Sequence, residues 1–215
     1  MKSIIDMKML FAAAGLAVAL AWGGLARAAP QINYVTAPLG STFTYVVHAT
    51  GSYGSGTTQV TLKIEEREWQ GKTFRASVSP QGATLSDPSK GGWVVSLGPD
   101  GKAVISFDPP MNWGHRPYEV GQTGATTYHV TAYATNKTSS FDATWKIEAY
   151  EDVTVPAGTF KVFRVSWSDT SGNENMEYYI PEIGAYAKRS WRRTDKARAG
   201  AGTRDIELVS YTLAK

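Results

Sequence analysis

Residues 141–155 alternate between apolar and polar side chains along most of their length. Successive side chains of a β-strand point to opposite faces of its sheet, so this alternation predicts a strand with one buried and one solvated face. The polar positions hold charged and hydroxyl residues, while the other parity holds aromatic, aliphatic and small ones. The apolar set is Phe141, Ala143, Trp145, Ile147, Ala149, Val153 and Val155.

Similar short patterns recur between Gly and Pro residues, and no stretch beyond residue 28 sustains the 3.6-residue period of a helix. We therefore predict an all-β protein, with a single antiparallel curved sheet that closes into a barrel-like or two-sheet domain over residues 29–215. The predicted strands are 42–49, 57–69, 72–78, 93–97, 103–107, 126–133, 141–155, 160–169, 174–180, 184–192 and 203–213.

Turn chemistry predicts two of the hairpins. Residues 156–158 read Pro-Ala-Gly, with proline where φ is preset and glycine where the turn ends. This predicts a hairpin in which Val155 faces Phe160. Residues 69–72 read Trp-Gln-Gly-Lys and predict a shorter hairpin turn of the same general kind.

Two longer stretches, residues 79–92 and 108–124, read as irregular. Loops carry binding groups more often than strands do, so a site is expected there first. The second stretch combines aromatic and cationic side chains, which can stack on an apolar or sugar face and pair with an anion. The alternative is a loop held to the barrel rim by its aromatic residues. The predicted ligand contacts are Trp113, His115, Arg116 and Tyr118.

The N-terminus has the pattern of a signal peptide. Lys2 and Lys8 precede an apolar run over residues 9–25, and residues 26–28 read Ala-Arg-Ala, which is typical of a signal peptidase site. A membrane anchor is the competing interpretation, but a spanning helix needs about 20 apolar residues. We predict that residues 1–28 are cleaved, and that the mature chain has no transmembrane span and is periplasmic or secreted.

The net charge limits the possible partners of the chain, and the cysteine content limits the possible sources of its stability. The chain has 22 Lys and Arg residues against 19 Asp and Glu residues, and three of the former and one of the latter lie within residues 1–28. The remaining formal net charge is +1, which gives little support for nucleic acid as a partner. There are no cysteines, so stability has to come from packing rather than from disulfides.

Four segments resemble a family of exported bacterial proteins catalogued as domain of unknown function 3108 and its relatives. Residues 151–160 read Glu-Asp-Val-Thr-Val-Pro-Ala-Gly-Thr-Phe, which is similar to the hairpin motif of that family. Residues 117–123 are similar to its proline-x-x-valine-glycine segment, residues 179–184 to its aromatic-x-proline-x-x-glycine turn, and residues 207–211 to its closing strand.

The resemblance covers roughly the last hundred residues and implies a curved, barrel-like β-domain in the cell envelope. It implies no activity, because the family has no agreed catalytic residues to transfer. The chain departs from the family pattern at Gly124, where relatives often carry an aromatic residue.

Catalytic and metal-binding patterns are weak. His48, His115 and His129 are scattered along the chain, whereas a metal site needs several convergent nitrogen, oxygen or sulfur ligands. No Gly-x-Ser-x-Gly elbow distinguishes a nucleophilic serine. We predict no enzyme activity, no metal and no cofactor.

A basic run near the C-terminus is the strongest electrostatic signal. It could dock on an anionic surface such as phospholipid head groups, where each basic residue contributes about 1 kcal/mol. The alternative is a solvated, flexible hairpin tip. The predicted contacts are Lys188, Arg189, Trp191, Arg192, Arg193, Lys196 and Arg198.

Together these patterns predict a non-enzymatic cell-envelope protein that binds an apolar or amphiphilic envelope molecule, such as a lipid. The alternative is an interaction module that contacts an envelope protein or an anionic membrane surface through its basic C-terminal hairpin. A hydrolase is the third interpretation.

Overall fold

The computed structural model describes residues 31–33, 35–87, 91–112 and 117–215. The predicted signal peptide, residues 1–28, lies outside these ranges. Within them, no helix is long and apolar enough to cross a membrane.

The described chain folds into an antiparallel barrel, which confirms the predicted fold class. Each strand pairs with the next one in sequence, and the last strand pairs with the first to close the barrel. The strands are β1 (Thr42–Gly51), β2 (Gly56–Trp69), β3 (Lys72–Ser79), β4 (Gly82–Ser86), β5 (Trp93–Leu97), β6 (Ala103–Met111), β7 (Thr123–Ala132), β8 (Lys137–Val155), β9 (Gly158–Asp169), β10 (Asn173–Ile180), β11 (Ala185–Arg193) and β12 (Gly202–Thr212).

The prediction that residues 79–92 are irregular was wrong, because they contain β4. This strand is short and begins at Gly82, whose φ is +134°. A side chain there would collide with the backbone oxygen of Leu97, so glycine allows β4 and β5 to approach closely. Strand β6 also continues through Pro109 and Pro110, where the sequence pattern predicted an end.

The turn between β8 and β9 corrects a predicted register. Val155 pairs with Gly158, so the turn itself contains two residues, and Val153 rather than Val155 lies opposite Phe160. The predicted hairpin between β2 and β3 is confirmed, since Trp69 pairs with Lys72.

Three hydrophobic clusters stabilise the barrel. The first has Phe43, Tyr45, Val47, Val155, Phe160, Val162, Ile180, Ala187, Ile206 and Leu208 among its members. The second includes Tyr118, Tyr128, Trp145, Ile147, Phe163, Val165, Trp167 and Tyr179. The third is formed by residues of β3 to β5 and contains Phe74, Ala76, Leu85, Val94 and Val95.

Strands β9 and β10 bury both of their faces near the β8–β9 turn. Adjacent residues Val162 and Phe163 belong to the first and second clusters respectively, and Ile180 and Tyr179 divide in the same way. Since successive strand residues point to opposite faces, apolar packing covers this part of the sheet on both sides. Strand β8 also contacts β11 and β12 across the barrel.

The two ends of the barrel differ in composition. Because the strands alternate in direction, connections that follow even-numbered strands lie at one end and those that follow odd-numbered strands at the other. We call the first the hairpin end, after the β8–β9 turn at residues 156–157. The second is the basic end, which contains the β1–β2 turn at residues 52–55 and the β11–β12 connection at residues 194–201.

Candidate functional site

The basic run of β11 is divided between the two faces of the sheet. Arg189 pairs with Ile206 of the first hydrophobic cluster, and we call the face that carries Ile206 the inner face. Trp191 and Arg193 have the same parity as Arg189 and also lie on it. Lys188 and Arg192 lie on the opposite, outer face. The structure therefore does not gather the predicted anionic-surface contacts into one patch.

The outer basic residues are paired with carboxylates. Lys188 Nζ lies 2.8 Å from Glu207 Oε1, and Arg192 Nη1 lies 3.4 Å from Glu174 Oε2. Their side chains are 35% and 64% exposed, and such exposed pairs contribute about 0 to 1 kcal/mol each. These two cations are thus largely neutralised locally.

The tip of the β11–β12 hairpin is packed against its neighbour. The Thr194 amide and hydroxyl both donate to the Gly172 carbonyl oxygen, at 2.8 and 3.0 Å, and Ala197 is buried. Lys196 and Arg198 are exposed at this tip. The tip of this hairpin therefore contacts the β9–β10 turn.

On the inner face, Arg189 forms a buried ion pair with Glu177. Its Nε and Nη2 atoms donate to Glu177 Oε1 at 3.0 and 2.5 Å. The Glu177 side chain is 3% exposed and that of Arg189 is 22% exposed. A buried carboxylate needs a partner of this kind, since an unpaired buried charge is strongly destabilising.

Aromatic rings surround the inner guanidinium groups. The Arg189 guanidinium carbon lies 4.3 Å from the ring centre of Tyr186 and 4.5 Å from that of Trp191. Arg204 approaches Trp191 from β12 at 5.0 Å. Cations over aromatic faces at such distances are attracted by the ring quadrupole.

Arg193 extends this arrangement to the β1–β2 turn. Its guanidinium carbon lies 3.9 Å from the Tyr53 ring centre, and its Nη1 donates to the Ser52 carbonyl oxygen at 3.1 Å. These contacts lie toward the basic end. We call this set the cation–aromatic wall: Tyr53, Tyr186, Arg189, Trp191, Arg193 and Arg204.

The wall carries more positive than negative charge. Glu177 neutralises Arg189. Across the described parts of the chain, no carboxylate lies within 4.0 Å of the guanidinium nitrogens of Arg193 or Arg204. Burial, and then repulsion from Arg189, lower the pKa of Arg204 from its ordinary value. This depressed pKa indicates an environment that would gain from an added anion.

Tyr45 lies on the same inner face, toward the hairpin end. Burial raises its pKa to about 12, against the lowering effects of a hydrogen bond to the Tyr186 backbone and of the Arg189 charge. The inner face thus passes from neutral, buried groups near Tyr45 to charged, partly exposed groups near Arg193.

Of the predicted ligand loop, only Tyr118 lies within the described residues; Trp113, His115 and Arg116 do not. Tyr118 is 5% exposed and makes edge contacts with Phe163 and Tyr179, with ring centres 5.6 and 5.7 Å apart. Burial leaves little of this ring for a ligand. The role of the loop in ligand binding stays a prediction.

An open groove of about 880 Å³ runs over β7 to β10. Polar side chains such as Lys146, Glu148 and Ser166 line it, with Lys146 Nζ 2.6 Å from Glu148 Oε2 and Ser166 Oγ 2.8 Å from Glu148 Oε1. A hydrogen bond from Lys146, and then one from Ser166, lower the pKa of Glu148. A carboxylate with a depressed pKa is a weak base, so the groove does not favour a serine nucleophile.

Gly124 borders the same groove, and its lack of a side chain has a local reason. A Cβ atom at this position would collide with the indole ring of Trp145, the residue with which it pairs across β7 and β8. Trp145 therefore occupies the space that an aromatic residue at position 124 would need.

The strand register also brings together a serine, a histidine and an aspartate. His129 pairs with both Asp108 and Ser140, and His129 Nδ1 lies 2.8 Å from Ser140 Oγ. All three residues are exposed, and no hydrogen bond joins the described side chains of Asp108 and His129. Acyl transfer needs an oriented imidazole and an oxyanion site, so this row gives little support for a hydrolase.

Sequence reasoning missed Tyr53, Glu177 and Tyr186 as members of the charged inner face. The alternation of Arg189, Trp191 and Arg193 along β11 could have separated the inner from the outer basic residues. The facing residues could not be identified, because their positions depend on the pairing of β11 with β10 and on the β1–β2 turn.

No protein-family model matches the chain, and no similar curated protein was found. The resemblance of the C-terminal segments to domain of unknown function 3108 therefore stays a prediction.

Three solved structures resemble the barrel. The chain is 13% identical to a Bacteroides fragilis protein described as exported and as having a YmcC-like fold, with a TM-score of 0.43, covering 84% of this chain and 99% of the other. It is 9% identical to a protein described as a lipoprotein of Parabacteroides distasonis, with a TM-score of 0.42 and coverages of 86% and 100%. It is 10% identical to the hypothetical lipoprotein YmcC from Escherichia coli K12, with a TM-score of 0.45 and coverages of 82% and 86%.

Proposed function

We propose that the protein is an exported, non-enzymatic binding protein of the bacterial cell envelope that holds an amphiphilic envelope molecule against the cation–aromatic wall. Export is supported by the signal-peptide pattern of residues 1–28. Binding without chemistry is supported by the make-up of the wall, which consists of aromatic and guanidinium side chains and contains no serine, histidine or carboxylate.

The observation that carries this proposal is the composition of the wall. Trp191 and Tyr53 remain partly exposed, so their rings offer apolar surface to a ligand. Arg193 and Arg204 lie over these same rings and offer charge. An amphiphile with an anionic head group would contact both kinds of surface at once.

The ligand would bind toward the basic end rather than at the hairpin end. At the hairpin end, Val162 and Phe163 are buried in different clusters on opposite faces of β9. Apolar side chains already fill the space on both sides of the sheet there. This packing favours a partly open site for the head group over a carrier that encloses a whole lipid.

The second candidate is an interaction module at the tip of the β11–β12 hairpin. Lys196 and Arg198 are exposed there and form no ion pair among the described residues. Two cations contribute little at physiological salt, where screening acts over about 8 Å. Pairing of Lys188 with Glu207 and of Arg192 with Glu174 weakens this candidate further.

Native mass spectrometry of the protein purified from the periplasm, with solvent extraction and identification of lipids, tests the proposal. We expect a bound amphiphile that survives high salt, because aromatic contacts are not screened. Trp191→Ala should lose it, and Trp69→Ala, on β2, is the matched control. A clean unliganded mass, together with no binding to added short-chain lipids, would contradict the proposal.

A further inference from the structure

We infer that the head group recognised by the cation–aromatic wall is a phosphomonoester, held between Arg193 and Arg204. This inference rests on the proposed function and adds the chemical class of the ligand and the residues that select it. It starts from the charge balance of the inner face.

Two guanidinium groups of the wall lack a carboxylate partner within the described chain. Arg189 is paired with Glu177, whereas Arg193 bonds only to neutral Ser52 atoms and Arg204 contacts the Trp191 ring. A local excess of two positive charges is best matched by a dianion. A phosphomonoester carries a charge of about −1.5 to −2 at pH 7, whereas a carboxylate or a phosphodiester carries only about −1.

The strand register places the two arginines within reach of one ligand. Trp191 lies opposite Arg204, and Arg193 lies opposite Gly202. Arg193 and Arg204 are therefore diagonal neighbours on the same face, a relation in which residues lie about 7 to 8 Å apart and their Cβ atoms somewhat closer. Long side chains at that spacing can converge on a single phosphate, and the planar guanidinium suits bidentate contact with its oxygens.

Glycine on the neighbouring strands lets the β1–β2 turn pack closely beside Arg193. Its partner across β12 is Gly202, and Gly202 in turn pairs with Gly51 of β1. The β1–β2 turn approaches Gly202 closely, so that a Cβ atom there would collide with the Ser52 backbone nitrogen. This turn brings Tyr53 over Arg193, where its ring would border the bound head group.

The test is a titration that follows tryptophan fluorescence and calorimetry with three soluble probes. Dihexanoyl phosphatidic acid carries a phosphomonoester, dihexanoyl phosphatidylglycerol carries a phosphodiester, and glycerol 3-phosphate carries the phosphomonoester without acyl chains. We expect dihexanoyl phosphatidic acid to bind most tightly, by about tenfold over the phosphodiester.

The variants separate the inner arginines from the outer basic residues. Arg204→Gln should weaken binding of dihexanoyl phosphatidic acid by about tenfold or more, and Arg204→Lys should weaken it less because charge is kept without the bidentate fork. Lys188→Gln is the matched control, since this residue lies on the outer face of the same strand and pairs with Glu207, and binding should change by less than about twofold. Circular dichroism melting of each variant checks that the fold is retained.

The outcomes distinguish the inference from the proposed function. Equal binding of the two lipids, unchanged by Arg204→Gln, overturns the phosphomonoester while leaving an amphiphile binder intact. Equal binding of glycerol 3-phosphate and dihexanoyl phosphatidic acid supports a phosphomonoester site between Arg193 and Arg204. It contradicts the proposal that the ligand is an amphiphile, and favours a free phosphorylated molecule. If none of the three probes binds, both proposals fail.

Discussion

The hairpin end and the basic end of the barrel are built from the same strands but from different side chains. Strand β11 begins with Ala185 and Ala187, which are 4% and 0% exposed in the first hydrophobic cluster. It then continues with Arg189, Trp191 and Arg193 on the inner face. Small apolar residues allow close packing at one end, whereas long cations at the other end keep part of the surface hydrated.

This contrast indicates that different parts of the same sheet have different roles. The hairpin end holds the fold together through tight packing on both faces of β9 and β10. Toward the basic end, β11 instead carries the buried pair of Arg189 with Glu177, beside Arg193 and Arg204, which have no carboxylate partner among the described residues. Charged groups without a partner are exceptions in a fold whose other interactions are satisfied, and such exceptions tend to mark functional surfaces.

The largest effect is expected from truncation of Phe163, which is fully buried at the hairpin end. Phe163→Ala should lower the free energy of unfolding by about 4 kcal/mol, because it removes apolar contacts and leaves a cavity. Urea denaturation measures this value, with Val104→Ala as the control at a position that is 51% exposed. A similar small loss for both variants would show that the hairpin end is not the stabilising half.

Glu177→Gln should cost about 3 kcal/mol, because Arg189 would keep its charge without its carboxylate partner. Glu174→Gln is the control, since its ion pair with Arg192 is exposed and should cost less than about 1 kcal/mol. Replacing both inner charges, as Glu177→Leu with Arg189→Met, should recover most of the loss. Equal costs for the two single Glu→Gln variants would contradict a buried, energetically important pair.

Tyr45 makes the hairpin-end side of the inner face sensitive to alkaline pH. Its folded pKa of about 12 lies above the unfolded value of about 10. The associated stability is fully present below pH 10 and is lost as pH rises through 12, in total about 2 to 3 kcal/mol. Urea unfolding between pH 9 and 12 should therefore show a steeper fall for the wild type than for Tyr45→Phe. Parallel curves would indicate that Tyr45 ionises normally in the folded protein.

The fold class was predictable because alternation and turn chemistry are local signals. Residues 141–155 and the 69–72 turn specify a strand and a hairpin without reference to the rest of the chain. Strand β4 was not predictable, since five residues are too few for a clear alternation of apolar and polar side chains. These residues form a strand because they pair with β3 on one side and with β5 on the other. Register at the 156–158 turn failed for a related reason: Gly158 pairs within the ladder instead of completing the turn.

The candidate site was predictable only in part. A basic run is visible in the sequence, but its separation into an inner and an outer set depends on strand direction and pairing. Glu177, which neutralises Arg189, lies on a different strand, and Tyr53 reaches Arg193 through a turn more than a hundred residues away. Such long-range neighbours follow from the closure of the barrel, which no local pattern encodes.

The smallest effect is expected at the hairpin tip, where Lys196 and Arg198 are exposed. The double variant Lys196→Gln with Arg198→Gln should change the free energy of unfolding by less than about 0.5 kcal/mol, as is usual for surface substitutions. It should also leave co-sedimentation with anionic phosphatidylglycerol vesicles unchanged, if the inner wall rather than the tip recognises anions. Loss of vesicle binding in this variant, with Arg204→Gln unaffected, would shift the function from the inner wall to the tip. That result would favour a surface-docking module, because salt-sensitive attraction at the tip would then exceed any contact that the wall makes.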